Sequence, residues 1–185
     1  MKEISLNILD IAENSVKAGA SLTEILIDET STTLILTIRD DGCGMDEETV
    51  KSVIDPFYTT RTTRKVGMGL PLLKLACEQT EGQLTVSSKV SSEDDYSHGT
   101  TVQAIFHKDH IDCTPLGDVI SSIITLIQGH PDTDFLFIHR TEVGEASLDT
   151  RDLRAVLDNV PLDTYEVIIW IRDNLTEQYD EINKN

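Results

Sequence analysis

Positive charge is scarce in this chain of 185 residues. It carries 15 lysines and arginines against 33 aspartates and glutamates, a net charge of −18. So acidic a chain repels phosphate backbones and anionic lipid, and neither nucleic acid nor a membrane surface is expected as its partner. Long apolar runs are also missing, and none reaches the roughly 18 residues that a membrane span needs. Lys2 leads into a mixed segment rather than an apolar core, so no signal peptide is expected. Cysteine is sparse: Cys43, Cys77 and Cys113 are scattered and odd in number. That pattern argues against a disulfide frame and for reduced thiols in a cytoplasmic protein. No internal repeat and no low-complexity segment breaks the chain.

The charge that is present is unevenly spread. Residues 1–108 hold 17 acids and 10 bases, a net of −7, and residues 109–185 hold 16 acids and 5 bases, a net of −11. Against this background residues 56–77 carry Arg61, Arg64, Lys65 and Lys74 and no acid. Such an island is either a solvated loop or an anion site.

Hydrophobic spacing predicts a helix over 4–18, from Leu6, Leu9, Ala12 and Val16, with Gly19 as its C-cap. TEILID (23–28) and TLILTIR (33–39) read as a hairpin across a short turn. MDEETVKSVI (45–54) reads as a short helix with acids in its first turn, and LPLLKLACEQTEG (70–82) as a helix with Pro71 near its start. QLTVSSKV and TTVQAIFHK follow as two more strands. This order predicts an α+β fold, a two-layer α/β sandwich with a mixed sheet and helices on one face. From near His110 the pattern is helix, strand (DFLFIHR), helix (150–157), strand (EVIIWIRD) and terminal helix. Residues 109–185 therefore read as a small α/β unit, either a separate domain or an extension of the first sheet. We take 1–108 and 109–185 as two domains, the second with a partner-docking or regulatory role.

Two features point to chemistry. Asp10 and Asn14 lie four residues apart and share a helical face, with Asn7 one turn earlier. Gly42, Gly44, Gly67 and Gly69 fall in loops at strand ends and at a helix start, where backbone approaches a ligand closely. VGMGLP opens directly into the 70–81 helix, and such an N-terminus offers free amides to phosphate. His107, His110 and Cys113 have metal-like spacing but lack a fourth ligand.

Taken in order, these blocks resemble the Bergerat-fold ATPases: DNA gyrase B subunits, Hsp90-type chaperones, histidine kinases and mismatch-repair ATPases. The helix block is DIAENSVKAGAS. The first glycine block is read as Asp41-Gly42-Cys43-Gly44-Met45, a DxGxG element with Asp41 as its acid. DPFYTTR (55–61) is similar to the aromatic block of histidine kinases, Gly67-Met68-Gly69-Leu70 to their second glycine block, and His98-Gly99-Thr100-Thr101 to the final GT block. The resemblance covers residues 1–108 and is closest to a stand-alone histidine-kinase-like ATP-binding domain.

The resemblance implies ATP and Mg²⁺ as ligands. Asn14 would hold the metal through its amide oxygen. Asp41 would accept a hydrogen bond from the adenine amino group, Thr100 would sit near the purine edge, and Gly44 would let the chain pass under the base. Gly67 and Gly69 would give amides to the phosphates. Gly42, Met45, Met68 and Leu70 complete the contact set. Arg61, Arg64 and Lys65 would lie in a lid anchored by Phe57 and Tyr58. Asp10 would activate the nucleophile, at a position where hydrolysing and serine-kinase members place a glutamate.

The chain also departs from the family pattern. Pro71 stands where histidine kinases carry another glycine, and it has no amide to donate. No phosphoacceptor helix pair precedes the block, and none of the five histidines is followed by an acid. Three functions are weighed on this basis. The first is transfer of the γ-phosphoryl group to a protein partner in trans or to water. The second is a non-catalytic, nucleotide-dependent adaptor. The third is a clamp that dimerises on ATP, disfavoured because 77 residues are too few for a transducer domain.

Overall fold

The computed structural model describes residues 3–54, 68–91 and 98–184. Among these described residues twelve elements follow in order. They are α1 (Ile4–Lys17), β1 (Leu22–Glu29), β2 (Thr33–Asp40), α2 (Glu47–Ile54), α3 (Gly69–Glu78), β3 (Gln83–Lys89), β4 (Gly99–His107), α4 (Val119–Gly129), β5 (Asp134–Arg140), β6 (Glu145–Asp149), α5 (Thr150–Leu157) and α6 (Tyr165–Ile182).

The strands form one six-stranded sheet in the order β3-β4-β2-β1-β5-β6. β1 pairs parallel with β5, and every other pairing is antiparallel. The sheet is mixed, as expected. Strands β1, β2, β4, β5 and β6 alternate between buried and partly exposed positions, so one face carries the core. Ile25, Ile27, Leu36, Ile38, Phe106, Phe135 and Phe137 fill that face, and helices α1, α3, α4 and α6 cover it. Thr30 closes the β1–β2 hairpin: its hydroxyl accepts from the Thr33 amide at 3.0 Å.

The C-terminal residues extend the first sheet. β5 docks directly beside β1, with Ile25 opposite Phe137. The same residues also close off α1. The amides of Ile4 and Ser5, in the first turn of that helix, donate to the carbonyls of Pro115 and Leu116 at 2.9 and 2.8 Å. Two of the donors that a helix start leaves unpaired are satisfied in this way.

Two C-terminal elements differ from the sequence expectation. EVIIWIRD is not a strand; it lies within α6, which runs from Tyr165 to Ile182. Its β-branched run suits a strand, but Val167, Ile168, Ile171 and Leu175 are the buried positions, a helical spacing that continues into the polar tail. Tertiary packing against β6 and α4 outweighs local propensity. The strand that does form, β6, is the short EASLD segment, which buries only Ala146 and Leu148.

A buried polar network pins α6 to the sheet at the end remote from β2's C-terminus. His139 of β5 is 3% exposed. Its Nε2 lies 2.9 Å from Glu29 Oε2 and its Nδ1 lies 2.8 Å from the Tyr179 hydroxyl. Lys108 Nζ pairs with the other Glu29 oxygen at 2.5 Å. The His139 hydrogen bond, working against burial and helped by Lys108, holds Glu29 at about 2. Burial raises the Tyr179 phenol above its ordinary range, so it stays protonated.

Candidate nucleotide site

The opposite end of the sheet holds several of the residues singled out from the sequence. The segment after β2 turns sharply and is tied down on three sides. The Cys43 amide donates to the Ala18 carbonyl just beyond α1 at 3.0 Å, and the Ser91 amide donates to the Cys43 carbonyl at 3.0 Å. His98 Nδ1 lies 2.7 Å from the Gly42 carbonyl. Gly44 has φ +70°, and a side chain there would run into the Lys89 carbonyl. Only glycine fits both demands.

Asp41 turns away from this glycine turn, toward the start of β1. Its Oδ1 accepts from the amides of Ser21 and Leu22 at 2.8 and 2.9 Å, and its Oδ2 accepts from the Ser21 hydroxyl. The carboxylate therefore caps the start of β1 on the outside. Burial pushes its pKa up, but the amides of Leu22 and Ser21 and the Ser21 hydroxyl together outweigh that and hold it below the usual range. The carboxylate that turns inward is Asp40, the last residue of β2. Its Oδ2 accepts from the Ser15 hydroxyl at 2.8 Å. Its Oδ1 accepts from the amides of Gly42 at 2.9 Å and Thr100 at 3.2 Å. One acid thus joins α1, the glycine turn and β4. The sequence held the signal: an acid two residues before the first glycine and four before the second is Asp40, not Asp41.

Thr100 is part of the same cluster. Its hydroxyl lies 2.9 Å from that of Ser88, which accepts from the Met45 amide at 2.7 Å and donates to the Gly99 carbonyl at 3.0 Å. Ser88 was not singled out from the sequence. A lone serine on a strand edge carries no signal of its own there.

Asp10 and Asn14 lie on one side of α1, the side that turns toward α3. Asn14 is exposed and Asp10 is half-buried. Among the described residues neither side chain has a hydrogen bond or an ion pair. A Cβ built on Gly69 would collide with the Asp10 carboxylate, so the acid lies against the backbone that starts α3. Among the described residues, the amides of Gly69 and Leu70 precede the first bond of that helix, from the Leu72 amide to the Met68 carbonyl at 3.0 Å. Met68 is exposed, whereas Leu70 packs against the core. Pro71 sits in the first turn, where its missing amide breaks no helical bond. Glu13 points away, as adjacent helical residues must; it meets His130, just after α4, at 2.8 Å.

This end of the fold thus holds Asp10, Asn14, Asp40, Gly42, Gly44, Met45, Gly69 and Thr100. Phe57, Tyr58, Arg61, Arg64, Lys65 and Gly67 lie outside the described residues. Asn14 offers one neutral amide oxygen with a free carboxylate a turn away. This suits a hard cation that keeps several waters and takes its remaining oxygens from a bound ligand. Among the described residues no three histidine, cysteine, aspartate or glutamate side chains converge into a metal cage.

Comparison with known proteins agrees with this geometry. Residues 2–110 match the family described as histidine kinase-, DNA gyrase B- and HSP90-like ATPase. Sporulation kinase C of Bacillus subtilis (strain 168) is 27% identical over 89 residues, covering 48% of this chain and 20% of that protein. The signal transduction histidine-protein kinase AtoS of Escherichia coli (strain K12) is 30% identical over 88 residues, covering 48% of this chain and 14% of that protein. The chain thus spans a fifth or less of either relative. The Aquifex aeolicus MutL ATPase domain, complexed with ADP, superposes with a TM-score of 0.52 at 14% identity, over all of this chain and 70% of that one. At that identity the likeness shows the fold alone. Among the described residues no helix is long and apolar enough to cross a membrane.

Proposed function

Because the chain belongs to the histidine kinase-, DNA gyrase B- and HSP90-like ATPase family, we propose that it binds Mg-ATP in the cleft between α1, α3 and the β2–β4 end of the sheet. The γ-phosphoryl group then passes to a protein partner in trans or to water. The observation that carries this reading is the placement of Asp10. Its carboxylate, which has no partner among the described residues, lies against Gly69 at the start of α3, and a helix N-terminus favours phosphate.

Each residue then has a role. Asp40, held by Ser15, Gly42 and Thr100, is acceptor-only and takes the adenine amino group; guanine would present an acceptor to it. Gly44 and Met45 pass beneath the base, and Thr100 stands at its edge. The amides of Gly69 and Leu70 receive phosphate oxygens, with Met68 at the rim. Asn14 holds Mg²⁺, which when bound neutralises phosphate charge. Asp10 accepts the proton of the attacking hydroxyl or water, so the nucleophile reaches the γ-phosphorus as an oxyanion while the ADP oxygen leaves. Residues 109–185 dock the partner or regulate the site. The three thiols are unpaired, which supports a reducing cytoplasmic setting.

The test incubates wild-type protein and Asp10→Asn with γ-³²P-ATP and Mg²⁺, alone and with the products of neighbouring genes, and follows both phosphate release and labelled protein. Removing a general base costs about 10²–10⁴ in rate. The variant should lose turnover to that extent and keep its nucleotide affinity. An equal rate in the variant would remove Asp10 as the base.

A further inference from the structure

We propose that the outer face of α6 is a docking surface for a lysine- or arginine-rich helical segment of a partner protein. The face has an unusual composition. Tyr165 is 74% exposed, Trp170 51% and Ile169 37%. Trp170 is the only tryptophan in the chain. Large aromatics are normally sunk in cores, and where they are displayed they serve as anchors of interfaces.

Helical geometry arranges the charges around them. At about 100° per residue, Glu166, Asp173, Glu177 and Asp180 fall on one stripe, with Trp170 along one side and Tyr165 and Ile169 along the other. Among the described residues none of these four acids has a hydrogen bond or an ion pair. Arg172 lies at the margin of the face and is its only base. The stripe runs for about 21 Å along the axis, nearly four turns of helix.

This arrangement works against α6 as an isolated element. Asp173 with Glu177, and Glu177 with Asp180, are like-charge neighbours at helical spacing. Asp180 sits in the last turn, at the negative end of the helix dipole, and that turn has no base. A basic helix laid along the stripe relieves both. Its ammonium or guanidinium groups would pair with the acids, and one would stack on the indole face of Trp170. A second copy of the chain does not fit, because a twofold contact through this face would set acid against acid. Nucleic acid and anionic lipid are repelled for the same reason.

The proposal is independent of the nucleotide site and deepens only the docking role given to residues 109–185. Its test needs no ATP. Trp170 is its own reporter. The probe is a lysine–leucine amphipathic peptide of about 18 residues, long enough to span the stripe, titrated into the full chain. A peptide with glutamate in place of lysine serves as control. Binding should shift the indole emission, weaken with salt, and fail with the acidic peptide. By calorimetry, Trp170→Ala should lower affinity about tenfold at unchanged net charge. Asp173→Asn/Glu177→Gln should lower it at least as much, while Glu47→Gln/Glu48→Gln on α2 should leave it within about twofold. Circular dichroism confirms that each variant keeps its helix. An unmoved indole spectrum, or equal losses in the α2 and α6 double variants, overturns the proposal: the peptide then reads only the overall negative charge. Dimerisation through α6 in sedimentation, lost in Trp170→Ala, also overturns it.

Discussion

Ser15 and Asp40 are joined across the two layers of the fold, the hydroxyl on α1 donating to the carboxylate that ends β2 at 2.8 Å. This bond sits one residue after the exposed amide of Asn14, and it orients an acid that also gathers the turn at Gly42 and the start of β4. The two neighbouring aspartates are consequently given opposite tasks. Asp40→Asn should weaken ATP binding by about 10–100-fold, the loss of a charged hydrogen bond with a mismatched donor left in its place. Asp41→Asn should leave nucleotide affinity within a few-fold and instead cost about 1–2 kcal/mol of stability, because Ser21 and Leu22 lose a charged acceptor. Calorimetric titration and urea denaturation on both variants measure the two effects.

Gly69 separates packing from propensity. Alanine near a helix start ordinarily stabilises by up to about 1 kcal/mol over glycine. Here the added methyl would displace the Asp10 carboxylate. Gly69→Ala should reduce turnover by at least about tenfold with no gain in melting temperature, because a misplaced base loses reach. Full activity in the variant would detach Asp10 from the start of α3.

Acid sensitivity should trace to the other end of the sheet. Glu29 is held at about 2, against an ordinary value of 4.5, and its side chain is 22% exposed. A depressed carboxylate contributes stability that is fully present above about 4.5 and is lost as pH falls toward about 2. The shift corresponds to about 3 kcal/mol. Urea midpoints of the wild type should fall steeply over that interval, and Glu29→Gln should be less stable at neutral pH and show a shallower decline. Parallel curves for the two proteins would assign the acid sensitivity to other groups.

The sequence was most legible where burial is periodic. The alternation of Ile25, Ile27, Leu34, Leu36 and Ile38 declares the first hairpin, and the apolar stripe of α1 declares its helix. Legibility failed where local preference and tertiary packing part company. The VIIWI run favours a strand by composition, yet the positions it shares with Leu175 make a helical face. β6 offers too few apolar residues to be seen before its partner β5 is in place. At the candidate site, the helix block and the first glycine turn stand out by residue type alone, and Gly67 of the second glycine block lies outside the described residues. The choice between Asp40 and Asp41 depends on spacing, and the different donors that each carboxylate finds support Asp40. Ser88 is visible only once β3 and β4 are paired.

The most direct test of the nucleotide site is calorimetric titration of the wild-type chain with Mg-ATP and, separately, Mg-GTP. An acceptor-only carboxylate at the base edge predicts that ATP binds at least about 30-fold more tightly than GTP, and that Asp40→Asn removes the difference. Equal affinities for the two nucleotides, or a preference for ATP that survives Asp40→Asn, would contradict the account.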